Sequence, residues 1–478
     1  MAQRKIIFRP AAEQGDTATA LLRRFAAVRR EFEVPEDFPP EVLAEAREAA
    51  GRAELPSRDE TPVPFITIDP PGSKDLDQAM SIERDGDGYR VRYAIADVPA
   101  FVLPGGAIDA EARRRGQTVY CPDERVQLHP SELSEGAASL LPDQVRPAFV
   151  WDLRLAPDGE GTSVQVYRAM VRSVHRYDYE QVQKAVDDGS AEECLVLLKE
   201  VGEKRIERER VRGGASLPMP EQEVSEAADG GFHVTFRPVV AAEDWNAQIS
   251  LLTGMGAAEL MLTGKVGILR TMPAPDPRDL KRFRREAAAA GVPWPDGLAY
   301  GEFLRTLDRT NPRHLALIHQ ATSLFRGAGY TPFDGAVPEQ PNHAAVAGPY
   351  AHVTAPLRRL VDRFGLVVCE ALSSGHEVPA WAREALPTLP DIMATSDRRT
   401  NGVQRACTDA VEAAELVPHV GQSLGAVVVD ETEKGVIVQL DDLAVVAKAA
   451  GRAAAGDAVT VRVDAADIDT GTVAISVV

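Results

Sequence analysis

The sequence predicts an α+β protein of three units: a small helical unit over residues 1–60, a long mixed region over 61–416 and a five-stranded β-barrel over 420–478. Three observations lead to this class. Apolar residues recur at helical spacing near the start of the chain. Strand-like runs bounded by turn signals begin at Phe65 and later give way to Ala/Arg/Glu-rich helical stretches. After Val420, five short strand candidates follow one another, punctuated by Gly421, Gly425, Gly435 and Gly456. The length of 478 residues accommodates three domains at roughly 150 residues each.

Composition narrows the function classes. Hydrophobic residues make up 44% and charged residues 26%, the balance of a globular protein rather than a disordered or collagenous one. The net charge of −19 argues against a nucleic-acid coat held by charge alone, while leaving room for a channel lined by basic residues. Of the 53 basic residues, 44 are Arg. Arg suits bidentate phosphate contacts, although a G+C-rich genome produces the same bias. Cys121, Cys194, Cys369 and Cys407 are scattered with no C-x-x-C pair, so neither a disulfide framework nor a zinc cluster is expected. The opening MAQRKIIFRP has only Ile6, Ile7 and Phe8 as an apolar run, too short for a signal-peptide core. No run approaches the roughly 20 apolar residues that span a bilayer. A reduced, cytoplasmic protein is expected.

In the first unit, Leu21, Leu22, Phe25, Val28 and Phe32 mark one helix, and Pro35, Pro39 and Pro40 interrupt it. A second helix is expected from Glu41 to Arg52. The pair suits either a helix-turn-helix-like nucleic-acid binder or a cap packed on the main region. With 10 basic and 12 acidic residues, charge does not favour binding. The middle region opens with FITI and YRVRYAIADV, split by Asp85-Gly86-Asp87-Gly88, and continues with strands near Ala148–Leu155, Val164–Val171 and Phe232–Phe236. Its second half reads as mainly helical. The tail suits an OB-type barrel. It lacks Phe, Tyr and Trp and carries nine acidic against four basic residues.

Two segments carry chemistry. In FITIDPPGSKDLDQAM, Asp69 ends a strand, Pro70-Pro71-Gly72 forces a loop, and Asp75 and Asp77 are two apart, so an extended backbone points both the same way. Three carboxylates this close repel unless a cation neutralises them, and oxygen ligands of this kind suit Mg²⁺ or Mn²⁺. An ordinary acidic surface loop has the same composition. In GPYAHVTAPLRRLVDR, His352 and Thr354 precede Pro356, Arg358 and Arg359. A helix opened by Pro356 would leave free backbone N–H groups beside two guanidiniums, a place for a phosphate, or simply a solvated basic face.

Taken together, these segments resemble the ribonuclease II family, whose catalytic domain is called RNB. FITIDPPGSKDLDQAM with YAIADVPAFV is similar to its signature, GQTVYCPDERVQLHPSELSEGAASLLPDQVRPAFV to its next block, VRSVHRYDYEQV and ASLPMPEQEV to weaker blocks, and PYAHVTAPLRR to its His-Phe-Thr-Ser-Pro-Ile-Arg-Arg. The resemblance spans about residues 61–416 in order, and the tail is similar to the S1-type barrel that follows RNB. It implies a Mg²⁺-dependent hydrolytic exoribonuclease, with Mn²⁺ as an alternative ion, that degrades single-stranded RNA from the 3′ end to nucleoside 5′-monophosphates. It also implies acidic catalytic and metal positions at Asp69, Asp75 and Asp77, an arginine at the scissile phosphate at Arg358, and a base-stacking tyrosine at Tyr120. Gln78, Arg359, His352 and Thr354 complete the expected RNA-contacting set. A cytoplasmic monomer acting on RNA 3′ ends, with no membrane, is the expectation.

The chain departs from the family in three ways. A fourth Asp is replaced by Gln78, a Glu near the end of the domain aligns with Gln404, and a second clamping aromatic has no match in PMPEQEVSE. A weakened metal site would leave an RNA-binding or regulatory protein. A phosphohydrolase acting on small phosphates is a third reading, opposed by the long ordered resemblance.

Overall fold

Two closed five-stranded barrels and a block of helices between them organise the chain. A computed structural model describes residues 6–9, 16–52, 54–217, 221–226, 232–237, 239–308, 311–441, 443 and 445–478. Helices α1 (Asp16–Glu31) and α2 (Pro40–Arg52) occupy the first unit. The first barrel comprises β1 (Phe65–Ile68), β2 (Gln78–Asp85), β3 (Gly88–Ala96), β4 (Val145–Leu155) and β5 (Gly161–Tyr177). Neighbours run antiparallel until β1 closes the barrel parallel to β5, with Thr67 opposite Arg176. The β2–β3 hairpin pairs Asp85 with Gly88 across the expected turn. Alternate residues of β3 and β4 point inward, so Tyr89, Val91, Tyr93, Phe149, Trp151 and Leu153 join one buried core.

Between β3 and β4 the chain makes α3 (Ala107–Arg115), a short ribbon of Val119–Tyr120 with Arg125–Val126, and a helical turn at Leu133–Ala137. Beyond the barrel, α4 (Ala241–Gly264) and α5 (Leu360–Ser373) bury residues on nearly every side, among them Ile249, Ala257, Met261, Phe364 and Val368. A helix apolar all round belongs in an interior. The 28-residue α6 (Leu389–Leu416) follows. The second barrel comprises β6 (Ser423–Thr432), β7 (Gly435–Leu440), β8 (Val446–Ala450), β9 (Ala458–Asp467) and β10 (Thr472–Val477), in the order β6-β7-β8-β10-β9.

Helix α6 joins the parts. Leu21, Phe25 and Val28 of α1 share a core with its Val403, Cys407 and Val411. Its last residue, Leu416, enters the core of the second barrel. Helix α2 rests on α3, where Val42 and Ala46 meet Ile108, and the Glu45 carboxylate accepts the Ala107 N–H at 2.6 Å. The two amino-terminal helices therefore dock on separate surfaces, as a cap does.

Three expectations need correction or placement. The first unit is not wholly helical: Ile6–Arg9 is a strand, paired parallel with Glu221–Glu226, which itself pairs with Phe232–Arg237. Its β-branched and aromatic run finds a strand partner over two hundred residues away, beyond what local spacing registers. Pro356 does not open a helix, because α5 begins at Leu360. Pro218–Pro220, the start of the segment without a second aromatic, lie outside the described residues.

Candidate active site

The acidic loop is a connection between β1 and β2, pinned at several points. Asp69 N–H donates to the Tyr177 carbonyl at 3.1 Å, and Gly72 takes a φ of +81° that lets the loop turn. The Ser139 hydroxyl donates to the Lys74 carbonyl at 2.6 Å and accepts the Leu76 N–H at 2.9 Å. Leu140 N–H donates to the Leu76 carbonyl. The Ser139-Leu140 element therefore holds the loop from below, which gives the serine of that sequence block a structural role.

The basic loop, residues 350–359, is pressed between helices. Ala351 N–H donates to the Gly254 carbonyl on α4 at 3.0 Å, and the buried Asp362 carboxylate accepts the Ala355 N–H at 2.7 Å. The two loops meet where Asp77 Oδ1 accepts the Leu357 N–H at 2.7 Å and Asp77 Oδ2 lies 3.5 Å from the Arg358 guanidinium. Thr118 N–H donates to the Arg358 carbonyl at 2.9 Å, tying the ribbon that carries Tyr120 to the same place. Burial raises the Asp77 carboxyl well above the usual carboxylate range, and Arg358 opposes that shift.

Asp75, Asp77, Arg358 and Tyr120 thus come together. The Tyr120 phenol is held neutral by burial, and its surroundings include the charges of Arg358, Asp75 and Asp77. Asp75 Oδ1 is bonded to the Arg125 guanidinium at 2.5 Å. Asp69 is partly buried, and its charge bears on the hydroxyls of Tyr93 and Tyr179. Gln78 sits beneath: its amide donates to the Thr354 carbonyl at 2.6 Å, and its oxygen accepts the Tyr93 hydroxyl at 2.5 Å. The remaining expected contacts have other partners. Arg359 makes two bonds of 2.9 Å to Asp362, whose burial demands a cation. His352 Nδ1 pairs with the Tyr330 hydroxyl at 2.8 Å, and Thr354 is buried.

The donor set has the hard oxygen chemistry of a Mg²⁺ or Mn²⁺ site, but its arrangement does not fit one. Among the described residues, no three His, Cys, Asp or Glu side chains are grouped to hold a metal ion. Arg125 occupies Asp75, the Leu357 N–H occupies Asp77, and Gln78 brings an amide already bonded on both ends.

Arg125 and Ser139 escaped the sequence reading. A signal for Arg125 was present: Pro122-Asp123 between Val119-Tyr120 and Arg125-Val126 marks a hairpin, which sets Arg125 opposite Tyr120.

Comparison with known proteins agrees with this architecture. The model of the RNB domain matches residues 57–370, and that of the RNase II-type exonuclease C-terminal S1 domain matches residues 422–478. Ribonuclease R of Escherichia coli is 28% identical over 431 residues, covering 84% of this chain and 51% of that protein. The chain spans about half the length of the curated relatives it matches first. Mycoplasma genitalium RNase R in complex with ribose-methylated single-stranded RNA superposes with a TM-score of 0.84 at 17% identity, covering 99% of this chain and 85% of that one. Yeast Ssd1, a pseudonuclease, shares the fold with a TM-score of 0.70 at 16% identity, over 90% of this chain and 55% of its own. With the RNB model matched over more than half of its length and the S1 model behind it, the chain belongs to the RNB family of exoribonucleases.

Proposed function

We propose that this protein is a cytoplasmic, monomeric 3′-to-5′ exoribonuclease that hydrolyses single-stranded RNA to nucleoside 5′-monophosphates. The meeting of Asp77 with Arg358, from motifs far apart in the chain, carries the reading. Water attacks the last phosphodiester phosphorus, the bond to the preceding 3′ oxygen breaks, and the phosphate leaves on the released nucleoside. Arg358 is half exposed and offsets charge developing on the phosphoryl oxygens. Asp77 locks the basic loop in position through the Leu357 N–H. Tyr120 offers a ring on which any base can stack, as a sequence-tolerant enzyme requires. Gln78, Thr354, His352, Arg359 and Asp69 support the two loops. The RNB relationship implies Mg²⁺ or Mn²⁺, and the roles of Arg358, Asp77 and Tyr120 stand without it. Four free cysteines, three of them buried, suit a reducing compartment.

A second reading, an RNB-fold protein that binds RNA without cutting it, is favoured by one observation: Asp75 and Gln78 are both engaged by protein groups. Incubation with 5′-labelled single-stranded RNA, with Mg²⁺ and with EDTA, separates the two. A short labelled end product is expected. Shifted but intact RNA in both conditions would replace the first reading with the second.

A further inference from the structure

Gln78 stands where the first barrel meets the basic loop, and its amide is held at both ends. Nε2 donates to the Thr354 carbonyl at 2.6 Å, and Oε1 accepts the Tyr93 hydroxyl at 2.5 Å. The strand register explains the reach. Gln78 lies opposite Ile95 and Met80 opposite Tyr93, so all four side chains share one face of the β2–β3 hairpin and Tyr93 is the diagonal neighbour of Gln78. The Tyr93 ring is fully buried in the barrel core, where a phenol needs a polar partner. Ser250 of α4 extends the network: its Oγ lies 2.9 Å from the Tyr93 hydroxyl oxygen and 3.5 Å from Gln78 Oε1. Helix α4 therefore reaches the basic loop twice, through Gly254 to Ala351 and through Ser250, Tyr93 and Gln78 to Thr354.

An amide has a donor end and an acceptor end, and the Thr354 carbonyl pairs only with the donor. Burial keeps the Tyr93 phenol protonated, so it offers its O–H to the acceptor end. One of the two amide orientations is thereby selected. The Ala355 carbonyl, next along the loop, accepts both the Arg358 and the Arg359 N–H, so a shift at Thr354 passes directly to Arg358. Resting on the reading of Arg358 as the group that faces the phosphate, we infer that Tyr93 is a positioning residue: its hydroxyl orients the Gln78 amide, and the amide holds the backbone that presents Arg358. Gln78, where the ribonuclease II family has a fourth Asp, is then a strut between barrel and loop. An Asp there would be one methylene shorter and would turn an oxygen, not an N–H, towards the Thr354 carbonyl.

Tyr93→Phe removes the hydroxyl and keeps the ring in its packing. Two measurements on the full chain test the role: hydrogen–deuterium exchange without RNA, and single-turnover cleavage of 5′-labelled single-stranded RNA. Exchange across residues 350–359 should quicken by about threefold to tenfold and cleavage should slow by about tenfold, the worth of one neutral hydrogen bond, while RNA affinity stays within about twofold. Strands β3 and β4 should exchange as in the parent, whereas loss of a residue that only packs the core would loosen them as well. Gln78→Ala should match Tyr93→Phe, and the double variant should be no worse than Gln78→Ala alone, because Tyr93 acts through Gln78. Unchanged exchange across 350–359, equal loosening of β3 and β4, unchanged cleavage, a loss of affinity as large as the loss of rate, or additive losses in the double variant would each overturn the proposal. A parent protein that leaves RNA intact would end the ribonuclease reading, and exchange would still decide whether Tyr93 holds the loop.

Discussion

Arg358 is locked through its backbone while its side chain stays open. Its N–H donates to the Ala355 carbonyl at 3.2 Å, its carbonyl accepts from Thr118, and the next residue back is bonded to Asp77. A charge on so fixed a base suits a transition state better than a flexible ground-state complex. Arg358→Ala should lower the single-turnover cleavage rate by about 100-fold to 1000-fold, the usual loss for one preorganised electrostatic donor, while RNA affinity changes far less. Equal free-energy losses in rate and affinity would recast it as a binding residue. A second residue acts from behind the same loop. His129 is 1% exposed beside Pro356, and burial, reinforced by Arg363, holds its pKa down at about 3. Folded His129 therefore stays neutral, whereas in the unfolded chain it gains a proton below its ordinary 6.5. Its contribution is fully present above pH 6.5 and is lost as pH falls towards 3, by up to about 1.4 kcal/mol per pH unit. Urea midpoints measured above and below pH 6.5 should show that loss in the parent protein and a flatter dependence in His129→Leu.

At the scale of elements, close approach sets the site. The basic loop lies between two helix glycines, Gly254 of α4 and Gly365 of α5. A Cβ on Gly254 would come within 2.6 Å of the Ala351 carbonyl oxygen and also strike the Tyr350 ring, and one on Gly365 would come within 2.9 Å of Val353. Gly254→Ala would raise helix propensity by about 1 kcal/mol, but the clash is with backbone. It should cost a net 1–3 kcal/mol or so, as overpacking does, and lower turnover by displacing Arg358; thermal melting and a cleavage assay check both. The ribbon bearing Tyr120 is the other decisive element. Tyr120→Ala should lengthen the shortest limit product on single-stranded RNA, and an unchanged product ladder would return Tyr120 to a packing role. These elements were unequally legible. FITI, YRVRYAIADV and the Asp-Gly-Asp-Gly turn announced β1 and β3 because local alternation and turn chemistry determine them, whereas β2, Gln78–Asp85, went unread between the acidic loop and that turn. Closure of β1 against β5 spans about a hundred residues and leaves no local mark. The spacing of Asp75 and Asp77 brought both to the site, yet not their partners: the Leu357 N–H that Pro356 was expected to free for a phosphate goes to Asp77, and Arg125 takes Asp75.

For the whole molecule, α6 is the shared support. Helix α1 packs on its Val403 and Cys407, Leu416 plugs the second barrel, and Arg23 of α1 pairs with Asp469 of that barrel at 2.7 Å. That last pair is well exposed and adds little, so apolar contact along α6 holds the barrel in place. The barrel itself is a poor match for RNA on its own. It lacks aromatic residues, so the roughly 1–3 kcal/mol per base that stacking supplies is missing. Its nine acidic against four basic residues give little attraction to phosphate. The role expected of it is to shape the approach to the proposed catalytic region. A truncation ending at His419 removes the barrel and leaves Leu416 exposed, so some loss of stability is expected, with circular dichroism retained because the first barrel and α4 to α6 keep their own core. Turnover on short RNA should persist, and affinity should fall only on long RNA that reaches beyond the catalytic region. A collapse of binding on short RNA, with the remaining chain still folded, would show that the barrel grips RNA through its backbone or polar side chains and would overturn this division of labour.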